Sequence, residues 1–344
     1  MLEVIAGYDP KDELTAFSVG RLPSEPYRSF ANERTLNGIR IGVIREHLDK
    51  KLFNEADAES IDIAERAISD LRRLGATIVD PGPGGALFQS CINKYAPLYR
   101  NKVFIEQFPN SFSDDKISRL VDMFFDPSLV PAGPTIRSMG PTPNSGQAKY
   151  MLNRYLRERG DANIKTIGDL INKSNFYRDI RPDAGFIDRK AALEEMNSAV
   201  TLDMANLFQD RFAYQQVVMQ CMAQQNLDAL VSTAGNIPAY ILGTPIEPPL
   251  EGRTNSVWGL LGQHGIPTLS VPAGFTTRVF DRVRDTAAPG GTRLVGPVPA
   301  KLPVGIMFWG RPFSEPTLLR IASAYEAATK HRIPPPDFGA LPEP

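Results

Sequence analysis

The sequence has few of the residues that most often cross-link small proteins or bind metals. Its 344 residues include two cysteines, Cys91 and Cys221, and three histidines, His47, His264 and His331, that lie far apart. Two thiols exclude a framework of several disulfides and a four-thiolate zinc site, and the scattered histidines offer no metal-ligand spacing. We therefore expect both cysteines to be buried apolar residues in a cytoplasmic protein that holds no metal and no cofactor.

An excess of charge of either sign is also absent. Lys plus Arg number 38 and Asp plus Glu number 39, which gives a net charge of -1. Proteins that bind nucleic acid more often gather a basic excess on one face, so the composition predicts no nucleic-acid partner. No stretch approaches the roughly 18 apolar residues that would span a bilayer, and the apolar start of the chain is too short for a secretory signal. We expect no association with a membrane.

Several catalytic and nucleotide-binding motifs are missing as well. The chain contains no GxGxxG, no P-loop and no GxSxG, which weakens the nucleotide-enzyme and hydrolase-fold interpretations. Ser113 and Lys116 match an SxxK spacing, but roughly one such match is expected by chance and the companion motifs of that enzyme class are absent. His264 is a candidate general base, although a lone histidine is more often a hydrogen-bonded packing residue.

What is present is a set of strand and helix patterns. Residues 39–44 form a β-branched run, residues 54–74 carry an apolar stripe of helical period, and Gly75 can end that helix before a second strand at 77–79. This order predicts two parallel strands joined by a right-handed crossover. Three more strands are predicted at residues 229–232, 268–271 and 304–308, followed by a terminal helix that begins at Ser314.

The segments between these strands give weaker patterns. Phenylalanines in residues 88–183 indicate amphipathic helices whose aromatic faces pack on the sheet. Residues 186–233 contain neither glycine nor proline and predict one long helix or two in line. Residues 276–301 are interpreted as a polar loop.

Together these elements predict an α/β fold. Its mixed, largely parallel sheet would be flanked by helices on both faces. We expect residues 1–333 to form a single domain and residues 334–344 a proline-rich tail.

Several segments, taken in order, resemble the C-terminal half of the amidase signature family. The segments are DALVST at 228–233, GIPTLSVPAGF at 265–275, LPVGIM at 302–307 and FSEPTLL at 313–319. Residues 1–12 and 36–43 are similar to the part of the family that follows its catalytic serine. The resemblance covers most of the chain and implies a partial amidase-signature fold.

Family membership would imply hydrolysis of a small-molecule carboxylic amide through an acyl-enzyme, with a serine nucleophile, a second serine and a lysine base. This sequence contains no Ser-Ser pair and no glycine-serine-serine tract. We therefore expect a truncated hydrolase with no catalytic residue of its own, inactive alone, whose partner is the missing N-terminal segment or a second copy. The alternatives are a non-catalytic binding or interaction module and, as another enzyme class, a nucleotide-dependent transferase.

The resemblance also implies which residues line the acyl pocket. Thr233 and Asn236 lie in or after a strand end, and Asn255 and Trp258 lie in a second segment that matches a region flanking the family's acyl site. Because ligands of α/β sheets bind at strand ends, we expect these four side chains to converge on one concavity and bind substrate. Alternatively, the two asparagines stabilise a turn or cap a helix, and the tryptophan packs in the core.

Overall fold

The computed structural model describes residues 1–136, 139, 146–176, 189–235, 262, 264–288 and 291–334. Residues 335–344 of the expected proline-rich tail lie outside this part of the chain. The tail and the single domain over residues 1–333 therefore stay predictions.

Five strands form one mixed sheet, and each lies where the sequence predicts a strand. The strands of the described chain are β1 (Arg40–Val43), β2 (Thr77–Val79), β3 (Ala229–Thr233), β4 (Thr268–Phe275), β5 (Arg278–Arg284), β6 (Thr292–Pro299) and β7 (Pro303–Trp309). β1 runs parallel to both β2 and β3, whereas β7 runs antiparallel to β3 and β4. Four of the five strands therefore point the same way, in the order β2-β1-β3-β7-β4.

The strands β5 and β6 form a hairpin where the sequence predicts a polar loop, so that prediction is wrong. They pair antiparallel as a separate two-stranded ribbon, with Arg278 opposite Pro299 and Arg284 opposite Thr292. Its base is fixed by Glu59, whose carboxylate accepts hydrogen bonds from the Thr277 amide at 2.9 Å and hydroxyl at 2.7 Å. The sequence did not indicate the ribbon, because its strands carry several charged residues and bury little apolar surface.

Helices cover both faces of the sheet, as predicted. The helices of the described ranges are α1 (Leu2–Ile5), α2 (Ala58–Arg73), α3 (Gln89–Tyr99), α4 (Asn101–Gln107), α5 (Lys116–Phe125), α6 (Gln147–Glu158), α7 (Ile167–Lys173), α8 (Arg189–Ser198), α9 (Met204–Gln224) and α10 (Glu315–Thr329). Alternate strand residues point to opposite faces. Val231 and Phe308 pack with α2 and α10, while Leu230 and Trp309 pack with α3 and α9. No helix in these ranges has the length and apolar character needed to cross a membrane.

The described part of the segment without glycine or proline, residues 189–233, forms two helices, α8 and α9, before β3. Residues 199–203 separate them, and Val200 in this break is exposed rather than part of a continuous apolar face. The carboxylate of Asp203 accepts a hydrogen bond from the Asn206 amide at 2.8 Å, which starts α9 as a helix of its own. A capping aspartate can therefore divide a segment that contains no helix breaker.

Three phenylalanines of the helical middle, Phe104, Phe108 and Phe112, do not pack on the sheet, which corrects the expectation from their pattern. Phe104, Leu120 and Met123 form a third cluster, joined by Phe108 and Phe112, that is separate from the two sheet cores. Helix α3 lies between this cluster and the sheet. Its Ile92 side chain belongs to the sheet core and its Leu98 side chain packs on the third cluster.

The two cysteines are buried, as expected, but they are not free thiols. Cys91 of α3 and Cys221 of α9 form a disulfide, with their Cα atoms 5.6 Å apart. The count of cysteines could not reveal this, because the two residues are 130 positions apart and meet only when α3 and α9 pack on the same sheet face. A bonded pair removes the reason for expecting a reducing compartment.

Candidate functional site

Buried polar residues lie where β1 and β3 end, at the same edge of the sheet. The chain leaves β1 through a short 3₁₀ turn, Arg45–His47, and leaves β3 at Thr233. The Thr233 hydroxyl donates a hydrogen bond of 3.3 Å to the His47 carbonyl oxygen, and both residues are buried. This contact joins the two strand ends, at the kind of edge where α/β proteins bind ligands.

Further hydrogen bonds, from β7 to β3 and within β3, fix the end of β3. The Trp309 indole Nε1 donates to the Ser232 hydroxyl at 3.1 Å, and that hydroxyl donates to the Thr233 carbonyl at 2.9 Å. The rings of His47 and Trp309 meet edge to face, with centroids 6.3 Å apart. Sequence reasoning missed His47 and Trp309, although the position of His47 just after a predicted strand was a usable signal.

Arg45 ties the end of β1 to β2 and α2. Its Nε donates to Asp80 Oδ1 at 2.7 Å, and its guanidinium also pairs with Glu65. Burial acts to raise the pKa of Asp80, but hydrogen bonds from Arg45 and from the Gly82 amide outweigh it, so the pKa lies below its usual value. The Asp80 carboxylate is therefore ionised at neutral pH, and the three side chains connect β1, β2 and α2.

A second ionic cluster lies between α3 and α9. Arg100 Nη1 lies 3.1 Å from Asp210 Oδ1, and Arg100 Nε donates to the Met139 carbonyl at 3.1 Å. Burial raises the pKa of Asp210, and the charge of Arg100 offsets only part of that effect. The ion pair thus holds a carboxyl whose charged form is disfavoured by its surroundings.

His264 belongs to this second cluster. Its ring stacks on Tyr214 with centroids 4.0 Å apart, and its Nε2 lies 3.9 Å from Asp210 Oδ2. The Tyr214 hydroxyl donates to the Ile136 carbonyl at 2.9 Å. Burial is the main cause of the raised pKa of Tyr214, and the negative charge of Glu46, beside His47, adds to it.

Of the four residues expected to bind substrate, the structure describes one. Thr233 ends β3 at the sheet edge, as the sequence predicts. Asn236, Asn255 and Trp258 lie outside the described residues, so their convergence with Thr233 stays a prediction. In the part of the chain that is described, no group of three His, Cys, Asp or Glu side chains could hold a metal ion.

Known proteins resemble this chain over almost its whole length, although no family model matches it. The A-type subunit of glutamyl-tRNA(Gln) amidotransferase from Myxococcus xanthus is 39% identical over 330 residues, which cover 95% of this chain and 51% of that protein. Its counterpart in Moorella thermoacetica is 25% identical over 349 residues, or 98% of this chain and 53% of the relative.

A solved structure shows the same fold. The native peptide amidase of Stenotrophomonas maltophilia matches with a TM-score of 0.51 and 20% identity, over 97% of this chain and 51% of that one. The fold is thus the mixed α/β fold of an amidase-signature protein. The chain belongs to the amidase signature family and corresponds to the C-terminal half of these relatives. It spans about half the length of the curated relatives that it matches.

Proposed function

We propose that this chain is the C-terminal half of a hydrolase that cleaves a carboxylic amide through a serine acyl-enzyme. The chain supplies the scaffold and one wall of the acyl pocket. Its relationship to amidotransferase and amidase proteins supports the reaction class. The single observation that carries the placement is the buried Thr233–His47 contact, which joins two strand ends at the ligand-binding edge of the sheet.

The substrate-binding residues proposed are Thr233, Asn236, Asn255 and Trp258. Thr233 is supported by its position at the end of β3, in a buried polar setting that holds the strand end in place. A rigid wall favours catalysis because it keeps a bound acyl group in a fixed orientation toward the nucleophile. The other three are supported by the family resemblance of their segments.

The nucleophile and the base are proposed to come from a polypeptide outside this sequence. The sequence contains no Ser-Ser pair. His264, whose Nε2 lies 3.9 Å from Asp210 Oδ2, is stacked on Tyr214 and packed beside an ion pair, which suits a structural role. Exposed apolar residues near the start of the chain, Met1, Val4 and Ile5, are 97%, 87% and 68% accessible and support a partner that covers them.

The partner that we propose is a segment equivalent to the N-terminal half of the relatives. A second copy of this chain is the other possibility, because it would also cover apolar surface but would bring no serine pair. A cytoplasmic location stays a prediction, and the cysteines do not support it because they form a disulfide.

The proposal is tested by complementation. Residues 1–344 are assayed on simple aliphatic and aryl amides, alone and co-expressed with the N-terminal half of the Myxococcus xanthus relative. We expect no turnover by the chain alone, and turnover with a stable complex when both halves are present. A matched control replaces the serine pair of the added half with alanine and should abolish turnover without dissociating the complex. Turnover by the chain alone would overturn the proposal.

A non-catalytic interaction module is the second candidate, and the exposed face of α5 favours it. Ile117, Val121 and Phe125 recur every four residues along one side of this helix and are accessible to solvent. Complex formation without turnover in the same co-expression experiment, with an intact serine pair, would support this candidate over the hydrolase.

A further inference from the structure

A concavity of about 310 Å³ lies between the start of the chain, α9 and the beginning of α10. Its wall includes two arginines, Arg21 and Arg211, and three aromatic rings, Phe17, Phe212 and Phe313. Thr233 is not among its lining residues. Its ligand is inferred independently of the proposed hydrolase function. Its size falls at the lower end of the range for small-molecule pockets.

The Arg211 guanidinium lies close to the backbone at Gly265. Gly265 has φ +68°, a conformation that favours glycine, and a Cβ at this position would lie 3.0 Å from Arg211 Nε and 2.9 Å from Gln215 Nε2. Gln215 donates to the His264 carbonyl, which fixes the turn carrying Gly265. The backbone here thus leaves room for the side chain of Arg211.

Arg211 is partly buried and forms no ion pair with an acidic side chain among the described residues. Burial lowers its pKa, and the negative charge of Asp12 only partly opposes this effect. A guanidinium that has lost hydration without gaining a carboxylate partner is a favourable position for an anionic ligand.

The rest of the wall is apolar and aromatic. The rings of Phe17 and Phe212 meet edge to face with centroids 5.0 Å apart. The Arg21 guanidinium lies 5.1 Å from the centroid of the Phe313 ring, so the second charge is held by a cation–π contact. An organic ligand body would fit against these rings.

The charge balance of the wall indicates the valence of the ligand. Two arginines face one acidic lining residue, Glu315, and the negative charge of Asp12 also acts on Arg211, so the wall carries at most one excess positive charge. We propose that this concavity binds a small monocarboxylate with an aromatic or apolar body, with its carboxylate on Arg211 and its body against Phe17 and Phe212. A phosphate dianion fits less well, because one excess charge would not neutralise it and the aromatic wall would not solvate it.

The test is a titration of residues 1–344 with 3-phenylpropanoate, followed by calorimetry. We expect saturable one-to-one binding, weakened at least about tenfold for the neutral 3-phenylpropan-1-ol, because charge-assisted hydrogen bonds to the guanidinium are lost. Inorganic phosphate should not compete. Equal affinity for the acid and the alcohol, or the lack of saturable binding, would overturn the proposal.

Variants locate the site. Arg211→Gln should weaken binding of 3-phenylpropanoate at least about tenfold, and Arg21→Gln by a smaller factor, because Arg21 is exposed. Arg66→Gln, which removes an exposed arginine of α2 that does not line the concavity, is the matched control and should leave binding unchanged. Thermal melts establish whether each variant folds. If Arg211→Gln does not fold, the affinity of Arg21→Gln for 3-phenylpropanoate decides whether the ligand binds in this concavity. Unchanged affinity in the folded variants would refute the site.

Discussion

The two buried arginines, Arg45 and Arg100, form similar ion pairs with opposite consequences for their carboxylates. The Arg45 side chain pairs with Asp80 and Glu65, whose side chains are 13% and 39% accessible, and the pKa of Asp80 is lowered. The Arg100 side chain is fully buried, its partner Asp210 is 7% accessible, and the pKa of Asp210 is raised. Where several hydrogen bonds reach the carboxylate they outweigh burial, and where few do, burial prevails.

The difference also separates the functions of the two regions. The Arg45 cluster clamps β1, β2 and α2 at the rim of the sheet, where water reaches its acids. The Arg100 cluster joins α3 to α9 deep in the second core. Cys91 and Cys221 join the same two helices, nine residues before Arg100 and eleven after Asp210, so that the pair of helices is fixed at both ends.

Replacing Arg100 tests the more deeply buried of the two ion pairs and should have the largest effect on the free energy of unfolding. Arg100→Met leaves the Asp210 carboxylate in the core without its ion-pair partner, and we expect a loss of about 3–5 kcal/mol in the free energy of unfolding. Urea denaturation measures it. The double variant Arg100→Met, Asp210→Leu should recover part of the loss, because no charge then remains to be desolvated. A loss below about 1 kcal/mol for the single variant would contradict the account.

Removing the disulfide should cost somewhat less. Cys91→Ser with Cys221→Ser opens a cross-link that spans 130 positions, and a loss of about 2–4 kcal/mol is expected. The matched measurement is the unmodified protein in a reducing buffer, which should show a similar shift. If intact-mass analysis finds two free thiols in the purified protein, the bond is absent and the prediction fails.

The Arg45 clamp should tolerate substitution better. Arg45→Met leaves Asp80 and Glu65 in contact with water, so we expect a loss of about 1–3 kcal/mol, smaller than that for Arg100→Met. The two variants are compared by urea denaturation under the same conditions. A larger loss for Arg45→Met would reverse the ranking on which the comparison depends.

The pH dependence of stability should differ in sign between the two acids. The folded-state pKa of Asp80 is lowered, so its contribution is present above the ordinary carboxyl pKa of 3.8 and is lost as the pH falls below it. The folded-state pKa of Asp210 is raised, so its contribution is present below 3.8 and declines as the pH rises through the folded value. Denaturation of Asp80→Asn and Asp210→Asn between acid and neutral pH measures these slopes. If the contributions of Asp80 and Asp210 to stability changed in the same direction with pH, the contrast between the two ion pairs would be wrong.

Much of the fold followed from the sequence because the strand signals are local. Residues 39–44 and 304–308 are short β-branched or apolar runs bounded by glycine or proline, and both lie in the sheet as β1 and β7. The β5–β6 ribbon was missed because its strands pair with each other rather than filling the core. The Cys91–Cys221 bond was missed because it depends on how two distant helices face each other.

The candidate site was less predictable for a related reason. Thr233 was predicted from the family resemblance of its segment together with the rule that ligands bind at strand ends, and the structure places Thr233 at the end of β3. His47 follows from the same rule but was overlooked, because its position beside Thr233 depends on β1 and β3 being neighbours in the sheet. The order of strands is set by packing over long sequence distances, which periodicity does not record.

The central proposal is that this chain supplies structure to an amide hydrolase and carries no activated serine. The most direct measurement is intact-mass analysis after treatment of residues 1–344 with a fluorophosphonate, which forms a covalent adduct with an activated serine hydroxyl. The account predicts an unchanged mass for this chain, alone or in complex, and an adduct only on the complementing N-terminal half. A stoichiometric adduct on a serine of this chain, removed by replacing that serine with alanine, would contradict it.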